Sequence, residues 1–323
     1  MAPTRAALPD TTLSLVETSC ALCGGDDAVI EASGYDFEYA TSANSFSFVR
    51  CRRCDHVYLN PRPSSDDLGV IYPSTYYSLT GPSNPLVRRL QKFWEAGKVA
   101  MYGKLVGAGE RRILDIGCGN GRFLKIMREF GDPAWRLAGI DFDEAAVRQC
   151  VADGFEARVG RVEEYGEARG TFDGVIMLQL IEHVDDPVRV AESVYDLLKP
   201  HGCFIVETPN LAGLDYRLFR RRWWGHYHFP RHWHLFSTES MCEMLEARGF
   251  AIERTDYLIS TSAWTISLHN YFIDRGYPWW FVRFFSYQNP VLLGVFVALD
   301  YLRARLGGQT SNQRIVARKP ASA

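Results

Sequence analysis

Residues 113–121 read Ile-Leu-Asp-Ile-Gly-Cys-Gly-Asn-Gly and carry the strongest structural signal in the chain. An apolar run ends near Asp115, three alternating glycines follow, and a segment with helical apolar periodicity begins directly after them. This order predicts a buried strand, a tight turn and a helix, as at the opening of a nucleotide-binding sheet. Glycine accepts positive φ and lets a ligand approach the backbone closely. The stretch therefore predicts a cofactor loop at the carboxyl end of a strand.

The charges of this region indicate which nucleotide it suits. A dinucleotide fingerprint has the spacing G-x-G-x-x-G, but here the third glycine comes one position early and Arg122 takes its place. A carboxylate at Asp115 repels a phosphate and attracts an ammonium group, such as the amino-acid end of S-adenosylmethionine. A second apolar run, 137–141, ends in Asp141, where a doubly wound sheet places the acceptor for ribose hydroxyls. Two such acids favour S-adenosylmethionine, with an NAD-dependent enzyme as the weaker alternative.

Alternating apolar runs and helical patterns predict an α/β, doubly wound, mostly parallel sheet. Strands are expected near residues 112–116, 136–141, 155–159, 172–178 and 202–207, with helices between them, and a sixth strand over 250–259. Right-handed crossovers bring the carboxyl ends of parallel strands to one edge of the sheet. A ligand is therefore expected along that edge.

Four segments resemble the class I S-adenosylmethionine-dependent methyltransferases: ILDIGCGNG, GIDFDEAAV, FDGVIMLQLIEHVDDP and LLKPHGCFIVETPN. The resemblance spans roughly residues 110 to 260 and implies a seven-stranded Rossmann-like sheet, whose last strand, 313–318, lies antiparallel between the fifth and the sixth. It also implies a set of cofactor-binding residues. These are Asp115, Gly117, Cys118, Gly119, Asn120, Asp141, Phe142, Glu163 and Leu178.

The acceptor and the catalytic groups are expected after the fourth and fifth strands. Glu182 and His183 follow the fourth strand on the loop that faces the methyl group in the family, and histidine is the natural base near neutral pH. We expect His183 to act as a base or to orient the substrate, with helix capping or core packing as the alternative. The expected substrate contacts are Glu207, Asn210, His228, His232 and His234. Ubiquinone-pathway O-methyltransferases have a glutamate where Gln179 stands, so no catalytic metal is expected.

Four cysteines form the second strong pattern. Cys20, Cys23, Cys51 and Cys54 make two C-x-x-C turns on either side of a stretch with strand-like alternation. This spacing favours a structural Zn²⁺ with four thiolate ligands over redox chemistry. A segment of this size has too little core to be stable unaided, so the metal would supply folding free energy. The N-terminal region also resembles the zinc-ribbon leader of methyltransferases linked to sugar and polysaccharide biosynthesis.

Length and composition are typical of a cytoplasmic enzyme. The chain has 323 residues, 47% of them hydrophobic, a net charge of −2, and neither a secretory signal nor a long apolar run. This charge argues against a nucleic-acid partner, although Arg220, Arg221, Arg222 and Arg231 form a local cluster that suits a solvated loop or phosphate recognition. Oligomeric state stays open. A small-molecule acceptor methylated on oxygen or carbon, such as a sugar or a glycan or lipid-linked precursor, is favoured over a non-catalytic S-adenosylmethionine-binding scaffold.

Punctuation by proline, glycine and polar residues divides the chain. The predicted parts are a disordered leader (1–17), a zinc ribbon (18–62), a linker with a cap helix (63–108), the methyltransferase domain (109–259 and 313–320) and a helical aromatic-rich insertion (260–312). The apolar run 291–299 in the insertion is too short for a bilayer span, which needs about 20 residues. Residues 277–299 could contact a membrane surface, cap the pocket, meet another subunit, or simply pack on the sheet.

Overall fold

A computed structural model describes residues 9–73, 85–165, 169–260, 262–286 and 289–321. In chain order the strands are β1 (Leu15–Val16), β2 (Ala28–Gly34), β3 (Phe46–Cys51), β4 (Val57–Leu59), β5 (Arg62–Pro63), β6 (Arg112–Ile116), β7 (Arg136–Asp141), β8 (Glu156–Val159), β9 (Phe172–Leu178), β10 (Leu198–Pro209), β11 (His234–Leu235), β12 (Ala251–Leu258) and β13 (Asn312–Arg318). The helices are α1 (Leu68–Ile71), α2 (Pro85–Val106), α3 (Arg122–Phe130), α4 (Glu144–Ala152), α5 (Pro187–Leu197), α6 (Leu214–Phe219), α7 (Thr238–Glu246), α8 (Ala263–Asp274), α9 (Trp279–Val282) and α10 (Pro290–Arg305).

A seven-stranded sheet forms the centre of the molecule, in the order β12-β13-β10-β9-β6-β7-β8. Strands β10, β9, β6, β7 and β8 pair in parallel, and β13 runs antiparallel between β10 and β12. This topology confirms the predicted fold class and the predicted place of the last strand. The predicted spans of β6, β7 and β9 match the structure, whereas β10 is longer than expected, since it begins at Leu198 and ends at Pro209.

Apolar residues cover both faces of this sheet. On one face, α5 and α7 pack on a core that includes Val190, Val194 and Met241, all almost fully buried. On the other, α2 and α3 contribute Tyr102 and Leu124 to a second core. Because β6 is enclosed on both faces, it is a nearly continuous apolar run, which is typical of a central parallel strand. The three-layer arrangement leaves the carboxyl edge of the sheet as the place for a ligand.

The cysteine-containing N-terminal region forms a second sheet, in the order β11-β4-β3-β2. Its strand β11 comes from the chain after β10, where His234 pairs with Tyr58 and Leu235 with Val57. The predicted ribbon of residues 18–62 is therefore completed by the later part of the chain.

The predicted disordered leader is wrong for its last part. Leu15 and Val16 pair antiparallel with Arg62 and Pro63, and Leu13 is buried. A strand of two residues is too short to show the alternation of apolar and polar side chains from which strands are predicted. Residues 1–8 of the predicted leader lie outside the described residues.

Helices are present in both segments for which the sequence predicts them, the linker with a cap helix (63–108) and the insertion (260–312). Helix α2 covers the residues of the predicted cap helix, and residues 74–84 of the predicted linker lie outside the described residues. The predicted insertion contains α8, α9 and α10, and Trp264 on α8 stacks on Phe296 of α10 with ring centroids 5.4 Å apart. None of the helices described is both long and apolar enough to cross a bilayer.

Candidate functional site

The glycine loop after β6 has the backbone shape expected for a cofactor loop. Gly117, Gly119 and Gly121 all have positive φ, at 76°, 51° and 75°. The amides of Gly117 and Cys118 donate to the carbonyl of Ile140 at 2.8 and 3.2 Å, which ties the loop to β7. A Cβ on Gly117 would lie 2.6 Å from Leu180, so both the conformation and the space require glycine there.

Asp115 and Asp141 lie together at the carboxyl edge. Burial, with the charge of Asp141 adding to it, raises the pKa of the Asp115 carboxyl to about 7, against the opposing charges of Arg122 and Lys98. The amides of Gly119 and Asp143 donate to the two oxygens of Asp141 at 2.8 and 2.9 Å, which fixes its orientation and leaves a lone pair on each oxygen. The pair offers a buried carboxylate in need of a cation beside an oriented hydrogen-bond acceptor.

The other predicted cofactor residues surround these two acids in sequence and differ in exposure. Phe142 is 65% exposed, directly after Asp141, as expected of a side chain that a planar ring could cover. Asn120 is exposed and Leu178 half-buried, and Glu163 lies on a short turn after β8. Cys118 differs, because its side chain is buried beside Cys150, with the sulfurs 4.0 Å apart. The backbone of Cys118 is engaged within the loop, because its amide donates to Ile140 and its carbonyl accepts from the amide of Gly121 at 3.0 Å.

Helix α2 is fastened over the cofactor edge by charged contacts. Arg122, at the start of α3, pairs with Glu95 of α2, and Lys98 Nζ lies 2.7 Å from Glu207. Glu207 also accepts from the Tyr102 hydroxyl at 2.8 Å and from Arg314 Nε at 2.7 Å. These contacts occupy both oxygens of the buried Glu207. We expected a substrate contact at this residue, but the structure makes it the anchor of the cap helix.

Glu182 and His183 lie on a turn after β9 and are enclosed by the loop 225–236. The hydroxyl of Thr208 donates to Oε2 of Glu182 at 3.0 Å, while Oε1 is buried without a hydrogen-bond partner. Burial raises the pKa of Glu182 to about 8. Nδ1 of His183 is 3.0 Å from the carbonyl of Arg231 and 2.9 Å from the Tyr72 hydroxyl. Burial lowers the pKa of His183 to about 3, so the ring is neutral at physiological pH.

His232 is the one predicted substrate-site histidine that the structure brings to this pair. Its ring lies 4.5 Å from that of His183 between centroids, and its Nδ1 is 2.7 Å from the carbonyl of His226. Glu182, His183 and His232 each offer a ligand atom, and these atoms all lie within 4.8 Å of one another. The structure thus gathers one carboxylate and two imidazoles at this end of the site.

The remaining predicted substrate residues are engaged elsewhere. His234 is buried against the ribbon, with its Nδ1 3.1 Å from Nε2 of His56. Asn210 is fully buried, donates to Gln309 and the carbonyl of Thr310, and accepts from the amide of Ala212. His228 holds Glu38 of the ribbon at 2.7 Å. For His234 and Asn210, the predicted acceptor role is replaced by packing between segments. The sequence could not show this, because the partners lie far away along the chain.

A buried ion pair connects the ribbon to the loop that carries His232. The guanidinium of Arg231 donates to both oxygens of Asp36 at 3.1 and 2.8 Å, and both side chains are fully buried. Burial alone would raise the pKa of Asp36, but Arg231 outweighs it and lowers the value. Arg231 therefore does not belong to a phosphate-binding cluster. It fixes the loop whose carbonyl orients His183.

The four ribbon cysteines converge as predicted. Cys20 and Cys54 have sulfurs 3.5 Å apart, as do Cys23 and Cys51, and all four sulfurs lie within 4.8 Å of one another. All are free thiols. Four ligands of one tetrahedral zinc, each about 2.3 Å from the ion, lie about 3.8 Å apart. The arrangement is compatible with such an ion.

Comparison with known proteins places the central part of the chain in one group. A family model described as a methyltransferase domain matches residues 84–255, more than half of the chain. The chain is 28% identical over 172 residues to a protein of Mycolicibacterium smegmatis named probable S-adenosylmethionine-dependent methyltransferase, and the match covers 51% of this chain and 62% of that protein. It is also 28% identical over 170 residues to the ubiquinone biosynthesis O-methyltransferase of Xanthomonas campestris pv. campestris, covering 47% and 67%.

A solved structure shows the same likeness at lower identity. A SAM-dependent methyltransferase from Archaeoglobus fulgidus is 21% identical and has a TM-score of 0.46, covering 71% of this chain and 94% of the other. The chain thus spans under two thirds of the length of the first curated relative and about two thirds of the second.

Proposed function

The chain belongs to the class I S-adenosylmethionine-dependent methyltransferases, and we propose that it transfers a methyl group to oxygen or carbon of a small-molecule acceptor. The acceptor class that we favour is a sugar or a glycan or lipid-linked precursor. The observation that carries the proposal is the buried Asp115 carboxylate beside the glycine loop and the oriented Asp141. This arrangement suits a ligand with an ammonium group at one end and a ribose diol further along.

Each end of the cofactor has a set of candidate contacts. Asp115 pairs with the ammonium group, and the glycine loop 117–120 lets the methionine end approach the backbone closely. Asp141 accepts from the ribose hydroxyls, and Phe142 covers one side of the adenine. Glu163 and Leu178 complete the adenine site. Arg122 does not take part, since its side chain pairs with Glu95.

The acceptor is placed at the Glu182, His183 and His232 end of the site. S-adenosylmethionine supplies an electrophilic methyl group, and an oxygen or carbon nucleophile must lose a proton before or during the transfer. The Arg231 carbonyl can only accept a hydrogen bond, so Nδ1 of His183 carries the hydrogen and Nε2 carries a lone pair. His183 is thereby oriented to accept a hydrogen bond from the acceptor and to hold it in line with the methyl group. Burial lowers the pKa of His183 to about 3, so its action as a base requires the bound substrates to raise that value.

The proposal is tested with the full-length protein and S-adenosylmethionine labelled in the methyl group. Incubation with an extract of host metabolites should label a small molecule, and His183→Asn should lower that labelling at least about a hundredfold. Asparagine keeps a donor at the δ position and removes Nε2. Cofactor affinity, measured by calorimetry, should stay unchanged in the variant. Label in protein or nucleic acid, or normal turnover by His183→Asn, would contradict the corresponding part of the proposal.

We also propose a structural Zn²⁺ at Cys20, Cys23, Cys51 and Cys54. The support is the convergence of four free thiols in a region with a small core of its own. After treatment with a mild chelator, elemental analysis should find one retained zinc per chain, and Cys51→Ser should lose this metal together with stability. Zinc-free protein with an unchanged melting temperature would contradict this assignment. The cytoplasmic location expected from the sequence remains a prediction.

The insertion supports a peripheral membrane contact that would suit a lipid-linked acceptor. We define its apolar surface as the exposed large side chains of α9, α10 and their flanks. They are Tyr277, Trp279, Trp280, Phe284, Val291, Val295, Leu299, Tyr301, Leu302 and Leu306. Between residues 275 and 309 the chain carries four arginines and a single acid, Asp300, which is buried. Exposed tryptophans beside arginines favour the interface of an anionic membrane.

A further inference from the structure

The two histidines beside Glu182 are oriented in the way that metal-binding proteins orient their ligands. Nδ1 of His232 donates to the carbonyl of His226 at 2.7 Å, and Nδ1 of His183 donates to that of Arg231 at 3.0 Å. Neither Nε2 has a hydrogen bond among the described residues. Metal-ligating histidines are almost always held in this manner, with the second nitrogen donating to a carbonyl or a carboxylate. Two lone pairs are thus available beside each other.

The carboxylate supplies an independent observation. Oε1 of Glu182 is buried and has no hydrogen-bond partner, although the residue is fully enclosed. A buried polar atom without a partner costs about 1–3 kcal/mol. The Thr208 hydroxyl holds the other oxygen, as hydrogen bonds do for carboxylates that bind metals. A cation beside Oε1 would remove this cost, and the two imidazoles are the neighbours that such a cation requires.

We infer that Glu182, His183 and His232 bind one divalent transition-metal ion or zinc at the acceptor end of the site. Their ligand atoms all lie within 4.8 Å of one another, as the ligands of a single ion must. Two imidazoles with one carboxylate suit Zn²⁺, Mn²⁺, Fe²⁺ or Co²⁺ better than Ca²⁺, which prefers oxygen ligands only. Three protein ligands leave coordination positions open.

The open positions give this site a role in methyl transfer, which rests on the proposed function. An acceptor hydroxyl or enol oxygen bound to the ion would lose its proton to solvent more easily, and that oxygen would then take the methyl group as the S–CH3 bond breaks and S-adenosylhomocysteine leaves. His183 would then hold the ion through Nε2 instead of taking the proton itself. Gln179 led us to expect no catalytic metal, but the third ligand of the inferred site is His232, from a loop far along the chain.

The test measures how much Mn²⁺ the protein binds when its four-cysteine site already holds zinc. The zinc-loaded chain is treated with a mild chelator, checked by elemental analysis for one retained zinc, and titrated with Mn²⁺ alone, with free Mn²⁺ followed by electron paramagnetic resonance. Wild type should bind one Mn²⁺. Glu182→Gln, His183→Asn and His232→Asn should each weaken that binding at least tenfold. His269→Asn, which changes a half-buried histidine of α8 outside the group, should not.

Separate measurements distinguish an effect on folding from an effect on metal binding and from an effect on methyl transfer. Retained zinc and unchanged cofactor affinity show that a variant is folded. Absence of any Mn²⁺, Co²⁺ or additional Zn²⁺ in wild type, or binding that the three substitutions leave intact, would overturn the inference. If wild type binds no second ion while His183→Asn still loses turnover, the base role of His183 stands and the metal site falls. If the ion binds but no acceptor is methylated, the metal site stands and the proposed function falls.

Discussion

The cofactor end and the acceptor end of the site differ in how the chain assembles them. At the cofactor end, Asp115, the glycine loop and Asp141 follow one another along β6 and β7, and their hydrogen bonds are local to these two strands. At the acceptor end, Tyr72 meets His183 across 111 residues, and Asp36 meets Arg231 across 195. The first end is a property of a short motif. The second exists only when the ribbon has docked on the catalytic sheet.

The largest effect is expected from breaking the buried ion pair that joins the ribbon to the acceptor end of the site. Arg231→Met leaves Asp36 buried without its counter-charge, which should cost about 3–5 kcal/mol of unfolding free energy. The matched control is Arg148→Met, since Arg148 pairs with Glu144 at 2.5 Å and both side chains are exposed, at 65% and 70%. An exposed pair contributes about 1 kcal/mol or less. Denaturant unfolding measures both, and equal losses in the two variants would refute the special role of the buried pair.

The affinity of the cofactor end for S-adenosylmethionine should depend strongly on the charge of Asp115. Asp115→Asn removes the partner of the ammonium group and should weaken S-adenosylmethionine binding about ten- to a hundredfold in calorimetry, with little change in melting temperature. Asp143→Asn, in the turn that follows β7, keeps a side chain that can cap α4 and should change affinity less than about twofold. Asp115→Asn with wild-type affinity would place the ammonium group elsewhere.

The pH dependence of binding sharpens the same comparison. In the free protein, burial and Asp141 raise the pKa of Asp115 to about 7, against Arg122 and Lys98. Below that pH the carboxyl is neutral, and the ligand must displace its proton, so affinity should fall about tenfold between pH 7 and pH 5.5. Asp115→Asn should lose this dependence. A flat profile in wild type would show that the group is already ionised at pH 5.5.

The smallest effect concerns the insertion. Trp280→Ser with Phe284→Ser should lower binding to vesicles containing phosphatidylglycerol about three- to fivefold in a sedimentation assay. The control is Phe93→Ser with Trp94→Ser on α2, where the side chains are also exposed, at 77% and 59%. Equal binding by both double variants, or no binding by wild type, would remove the membrane role of the apolar surface.

The fold and the backbone shape of the glycine loop could be predicted from the sequence because their information is local. The apolar patterns of β6, β7 and β9 predicted the residues at which these strands begin and end. The acceptor end was predicted in part. His183 and His232 do meet, but His234 faces the ribbon and Glu207 anchors α2.

The misses have a common physical cause. A histidine at spacing two from another carries no sign of whether its ring faces a cleft or a second sheet. Asp36, Glu38 and Tyr72 were not recognised, since their roles come from partners more than a hundred residues away. Arg231 was grouped with the exposed arginines because its burial depends on Asp36. The two-residue strand β11 likewise has no periodic pattern of its own.

The pairing of β4 with β11 sets the order in which the protein can be completed during translation. The ribbon leaves the ribosome first, yet its fourth strand, with His234 opposite Tyr58, is synthesised only after most of the catalytic sheet. At about 5–20 residues per second, the edge of β4 waits on the order of ten seconds or more for its partner. The nascent ribbon thus exposes an open strand edge during that interval, a surface that chaperones or zinc capture would have to protect.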